Sequence, residues 1–107
     1  MRDDRERLLD ILTAIEKIEE KAGAGLDAFL TDDLLQVWVV HHLEIIGEAA
    51  NHISVSYQAE HSEIPWRKLI GMRHILVHGY FEVDLDIVWG VVEKDLPGLH
   101  KEIQSLL

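Results

Sequence analysis

The sequence predicts an all-α fold, an antiparallel bundle of four to five helices, and three observations predict it. Apolar residues recur at three- and four-residue spacing through successive stretches of the chain. Capping residues and helix breakers stand between those stretches. The one segment with strand-like composition, Val37-Trp38-Val39-Val40, runs without a breaker into Leu43–Ala50 and therefore reads as helix. No repeat, low-complexity tract or linker interrupts residues 1–107, which read as a single helical domain.

The first helix occupies Asp3–Ala22, where Leu8, Ile11, Leu12, Ile15, Ile18 and Ala22 form one stripe and Asp3, Asp4 and Glu6 suit the positive end of the helix dipole. Gly23-Ala24-Gly25 stops it. A short link through Leu26 and Phe29 leads to Thr31 or Asp32, either of which can cap a second helix reaching Asn51. That helix is apolar around nearly its whole circumference, so it is expected to serve both the core and a partner. Periodicity fades over Ser54–Ile64, and Pro65 then suits the first turn of a third helix. Trp66, Leu69, Ile70, Arg73 and Val77 share a sector of about 100° on that helix, beside a row of Arg67, Gly71, His74 and His78. Gly79 is expected to end it. Asp84 or Asp86 can cap a fourth helix, whose stripe of Leu85, Val88, Val92, Leu96, Leu99, Ile103 and Leu106 stays in phase across Pro97 with a kink or restart near Asp95.

Composition narrows the function. The absence of cysteine excludes disulfides, thiolate metal sites and a cysteine nucleophile. No run of 18 apolar residues occurs and no signal-peptide pattern follows Met1, so the chain reads as cytoplasmic, without a membrane partner. A chain of this length buries roughly 60–70% of its unfolded surface, a thin core that self-association would extend. The net charge of −10 argues against broad electrostatic capture of nucleic acid. Its distribution tells a second story: no Lys or Arg lies between Lys21 and Arg67, and then Arg67, Lys68, Arg73, His74 and His78 fall close together. With charges screened over ~8 Å, a small anion site can exist on an acidic protein.

An arginine at the centre of an apolar stripe needs an anion, because an unpaired buried charge costs several kcal/mol. Two partners are open to Arg73: an internal carboxylate, Glu44 or Glu48, or a bound phosphate held by the planar guanidinium. Both can hold at once. His78, with an ordinary pKa near 6.5, is suited to proton transfer in phosphodiester cleavage, but on an ideal helix it points about 140° away from Arg73. The two converge only if the helix ends near Val77 or a second subunit contributes its own copy. His74 and His78 have the spacing of helical zinc ligands; no third ligand accompanies them, so no metal or cofactor is expected. His42, on one face with Trp38 and Ile45, reads as a hydrogen-bonded core histidine.

The block Arg73-His74-Ile75-Leu76-Val77-His78-Gly79-Tyr80 resembles the HepT group of HEPN-domain ribonucleases, toxins paired with a minimal nucleotidyltransferase antitoxin. The resemblance extends to Leu43-Glu44-Ile45-Ile46-Gly47-Glu48-Ala49-Ala50, Ile64-Pro65-Trp66-Arg67, the segment from Phe81 to Trp89, and Asp95-Leu96-Pro97. It implies a HEPN-like homodimer with the motifs of two subunits facing across a cleft, and metal-independent cleavage of RNA, with tRNA a typical target. Carried onto this chain, Arg73 would bind or polarise the scissile phosphate. His78 would be general acid/base around attack by the ribose 2′-hydroxyl, and His74 would support the site. Tyr80 would be the residue that the antitoxin blocks with AMP. Glu44, Glu48 and Arg67 are the supporting polar residues. Where relatives often carry basic residues ahead of the Leu43–Ala50 block, this chain has His41 and His42, which weakens the field over an RNA groove. Two other functions fit the same residues: a non-catalytic helical dimer that regulates a nucleotidyltransferase, and a small-nucleotide binder using Arg67 and Arg73.

Overall fold

The computed structural model describes residues 3–73 and 84–107, and its regular secondary structure there is entirely helical. The first helix, α1 (Asp4–Ala22), starts where the Asp3 carboxylate accepts the Glu6 amide at 2.9 Å. Leu8, Ile11, Ile15 and Ile18 form its buried stripe, as their spacing predicts. Gly25, at φ +95°, takes the left-handed turn that a side chain would strain.

Beyond that turn the expected link is itself a short helix, α2 (Leu26–Thr31). Its anchor is Phe29, fully buried with its ring centroid 5.3 Å from that of Trp89. One aromatic plug organises six residues too few to show a helical period. Asp32 then caps α3 (Asp33–Asn51) by accepting the amides of Leu34 and Leu35 at 3.0 and 3.2 Å. Helix α3 runs antiparallel to α1: the Trp38 indole donates to the Lys17 carbonyl at 2.9 Å, and Asp4 accepts the amide and hydroxyl of Ser54 at 2.8 and 2.6 Å. Ser54 also caps a second unanticipated short helix, α4 (Val55–Glu60).

Pro65 precedes α5 (Trp66–Gly71), as expected, but the helix is shorter than its apolar stripe suggests. It ends at Gly71, and the amides of Met72 and Arg73 donate back only three residues, to Leu69 and Ile70 at 3.1 and 3.4 Å. This tightened turn, not a helix interior, carries Arg73. Val77 and Gly79, predicted to continue and end the helix, lie outside the described residues.

Asp84 caps α6 (Leu85–Gly90), which passes through a π-helical turn, Val91–Asp95, into α7 (Leu96–Ser105). Pro97 accounts for the change of pitch, because it brings no N–H and its ring crowds the preceding turn. Within the wider turn the Leu96 amide donates five residues back, to Val91. The predicted irregularity near Asp95 is thus a π turn that keeps Val88, Val92, Leu96, Leu99 and Ile103 facing the core. Helix α7 lies antiparallel to α1, with His100 2.7 Å from Glu19 and the Arg5 guanidinium donating to the Leu107 carbonyl at 3.5 Å. No helix among the described residues is long and apolar enough to cross a membrane.

Candidate active site

The site forms where α3 meets the turn after α5, and a glycine decides how closely they meet. A Cβ on Gly47 would lie 2.6 Å from the Arg73 amide nitrogen, 2.8 Å from the Arg73 Cβ and 3.1 Å from the Ile70 carbonyl oxygen. The first and last of these neighbours are backbone, which cannot rotate away. Glycine in a helix interior forfeits about 0.5–1 kcal/mol relative to alanine, so contact with the Arg73 backbone is what the residue is there for.

The next residue completes the arrangement. Glu48 sits on the outer face of α3 and accepts from the Arg73 Nη1 at 3.0 Å through Oε1 and 3.5 Å through Oε2. Of the two internal carboxylates the sequence offered, Arg73 pairs with Glu48; Glu44 lies one turn earlier on the same exposed face. The Arg73 side chain is 29% exposed, so it is neither sealed in the core nor free on the surface. Its Nε is buried and has no hydrogen-bond partner among the described residues. A guanidinium has five N–H donors, and the ion pair fixes its plane while the outward donors stay available to an anion.

The basic row of the sequence is only partly brought together. Lys68 turns toward the π segment and binds Asp95 at 2.7 Å, which removes it from the Arg73 side. Arg67 is exposed on the first turn of α5. His74, His78 and Tyr80 lie outside the described residues. His42 is buried, with Nδ1 2.7 Å from the Trp38 carbonyl, so its proton lies on Nδ1 and it is committed to the helix; His41 is exposed. Among the described residues no group of three or more His, Cys, Asp or Glu side chains is arranged to hold a metal ion. Gly47 is the functional residue that pattern reading passed over, and its signal was a lone glycine inside a long apolar helix.

Residues 11–106 match the family model described as Ribonuclease HepT-like. The chain belongs to the HepT-like ribonuclease family. Among its HepT-like relatives is a Thermococcus cleftensis protein named "Probable ribonuclease HepT", 41% identical over 106 residues that cover 98% of this chain and 96% of that one. The fold is similar to a crystal structure of a toxin–antitoxin complex with AMP-PNP, at TM-score 0.71 and 27% identity over 99% of this chain and 98% of that one. It is similar also to the tri-AMPylated Shewanella oneidensis HEPN toxin in complex with MNT antitoxin, at TM-score 0.70, 28% identity and the same coverage of 99% and 98%. The HepT-like assignment and the all-α expectation from sequence therefore agree with the structure and its relatives.

Proposed function

We propose that this HepT-like protein is the toxin of a toxin–antitoxin pair, a homodimeric, metal-independent endoribonuclease that cleaves RNA, with tRNA the leading substrate. The observation that carries the proposal is the Arg73–Glu48 pair, an oriented and partly exposed guanidinium inside the block that matches the family. In this reading Arg73 donates to the non-bridging oxygens of the scissile phosphate and stabilises the charge that grows there. His78 takes the proton of the 2′-hydroxyl as that oxygen attacks phosphorus. The bond to the 5′-oxygen breaks, the strand ends in a 2′,3′-cyclic phosphate, and the departing oxygen receives a proton. RNA supplies its own nucleophile, and His74 supports the histidine–arginine pair.

Purified protein is expected to cleave tRNA or total RNA in EDTA, and His78→Ala to lower the rate by about 10²–10⁴-fold. Undiminished cleavage by that variant would remove His78 from the mechanism, and cleavage abolished by EDTA and restored by a metal would remove the metal-independent scheme.

Regulation follows from Tyr80. A nucleotidyltransferase antitoxin would attach AMP to its phenol, a bulky anion that would obstruct an incoming RNA strand both sterically and by charge. Incubation with the cognate nucleotidyltransferase and ATP is expected to add AMP adducts detectable by mass spectrometry and to stop RNA cleavage. Tyr80→Phe should lose the adduct at that position and escape inhibition; full inhibition of the variant would place the control elsewhere. A second reading draws on the same ion pair: if Arg73 serves only Glu48, the chain is a non-catalytic dimer that regulates its nucleotidyltransferase, and wild-type protein leaves RNA intact.

A further inference from the structure

Helices α1 and α3 leave a cavity of about 230 Å³ between them, lined by Asp10, Thr13, Ala14 and Lys17 from α1 and by His42 and Ile45 from α3. Its walls are chemically sorted. Buried Ala14 and half-buried Ile45 supply an apolar floor. His42 is only 6% exposed and gives its Nδ1 proton to the Trp38 carbonyl at 2.7 Å, so Nε2 carries a bare lone pair. No described donor reaches that nitrogen, and the only side-chain nitrogen or oxygen both sealed from solvent and unpartnered among the described residues is Arg73 Nε, so the lone pair of Nε2 opens on the cavity. Polar groups on buried side chains are otherwise paired, and an imidazole held rigid with one acceptor unfilled is a group waiting for a donor. The cations stand at the far end. Lys17 Nζ lies 5.8 Å and Lys21 Nζ 5.9 Å from the centroid of the Trp38 ring, one turn of α3 before His42. Seven residues of α1 separate Lys17 from Asp10, about 10.5 Å of helix.

We infer that this cavity binds a guanosine 5′-phosphate, the base edge lying between Asp10 and His42 and the phosphate at Lys17. One end of the site is rich in acceptors and the other is cationic, so its ligand carries N–H donors at one end and an anion at the other. A free amino acid holds its ammonium and carboxylate on a single carbon, too close together to bridge two helical turns. A nucleotide has the length. Among the bases, guanine alone sets N1–H and the N2 amino group side by side, enough donors for the Asp10 carboxylate and the His42 Nε2 together, while its O6 accepts from the Thr13 hydroxyl. Adenine and cytosine place a lone pair beside their amino group, and uracil flanks its one N–H with two carbonyls, so each sets acceptor against acceptor. The site is separate from that of Arg73. His42 and Gly47, which abuts the Arg73 backbone, are five residues apart, about 140° around α3 and 7.5 Å along it. The inference therefore stands independently of the ribonuclease reading. A guanosine within an RNA strand and a free guanine nucleotide present the same edge and the same charge, and competition tells them apart.

Calorimetry on the full chain is expected to show GMP binding about tenfold or more tighter than AMP, CMP or UMP. Asp10→Asn, which leaves one acceptor where there were two, should weaken GMP about tenfold, and Thr13→Val should weaken it several-fold, both with unchanged helicity by circular dichroism. Lys17→Met should weaken GMP and leave guanosine unaffected, because only the former has a phosphate. Arg73→Ala should bind GMP as wild type does, and in that background RNA strands serve as competitors. A guanosine-containing oligoribonucleotide that displaces GMP, where one without guanosine does not, upholds the site and assigns it to RNA; GMP that neither strand displaces upholds it as a site for free nucleotide. Equal affinity for all four nucleotides, or displacement by both strands, overturns the recognition of guanine. No binding at millimolar GMP, or binding lost in Arg73→Ala and unmoved by Asp10→Asn, overturns the cavity as the site. Failure of RNA cleavage bears only on the ribonuclease reading, since calorimetry measures binding alone.

Discussion

Arg73→Ala is expected to lower RNA cleavage by about 10²–10³-fold, the loss typical of removing one group that stabilises transition-state charge. The effect on stability should be small. Arg73 is 29% exposed and Glu48 52%, so their pair contributes about 0.2–1 kcal/mol once solvent screening is allowed for. Removing a buried Nε with no partner among the described residues returns part of even that. A large fall in kcat with a nearly unchanged Tm is therefore the signature of an arginine that serves the substrate. Arg73→Lys keeps a positive charge without the planar fork, cannot hold Glu48 and a phosphate together, and should recover little activity. Cleavage at the wild-type rate by Arg73→Ala would sink the phosphate role of the guanidinium.

Gly47→Ala is expected to destabilise the protein by about 1–3 kcal/mol, although alanine is the better helix former by about 0.5–1 kcal/mol. Two effects compete, and distance decides between them. A Cβ 2.6 Å from a backbone nitrogen and 3.1 Å from a carbonyl oxygen can be accommodated only by moving the Arg73 turn away from α3. That displacement also carries the guanidinium away from Glu48. Cleavage should fall beyond what the unfolded fraction explains, a difference that activity measured well below the variant's Tm will show. If Gly47→Ala instead raises the Tm and leaves cleavage intact, α3 and the Arg73 turn do not meet as described.

What the sequence displayed and what it concealed follow from how far each signal extends. The ends of α1 and α3 were legible because Asp3 and Asp32 are side-chain caps acting within three residues of themselves. Glu48 was legible as a partner for Arg73 because an arginine in an apolar stripe demands a carboxylate, and only the choice between Glu44 and Glu48 needed the fold. Helices α2 and α4 were hidden, since six residues hold fewer than two turns and Phe29 is anchored by Trp89, sixty residues away in the chain. The early end of α5 was hidden for the opposite reason: the apolar period continues past Gly71 while the hydrogen bonding tightens. Gly47 appeared only as one letter of a family block, because its purpose lies in a backbone that the sequence brings near only through folding.

The clamp on Arg73 carries a consequence for how quickly substrate is found. A guanidinium neutralised by its own carboxylate, on a chain of net charge −10, projects almost no attractive field into solution, so encounters with polyanions go unguided. Such a nuclease gains its grip only at contact distance, where shape and individual donors count. Added salt, which screens the repulsion between an acidic chain and a polyanion, should then leave RNA cleavage unchanged or raise it, opposite to the loss expected of an enzyme with a basic surface.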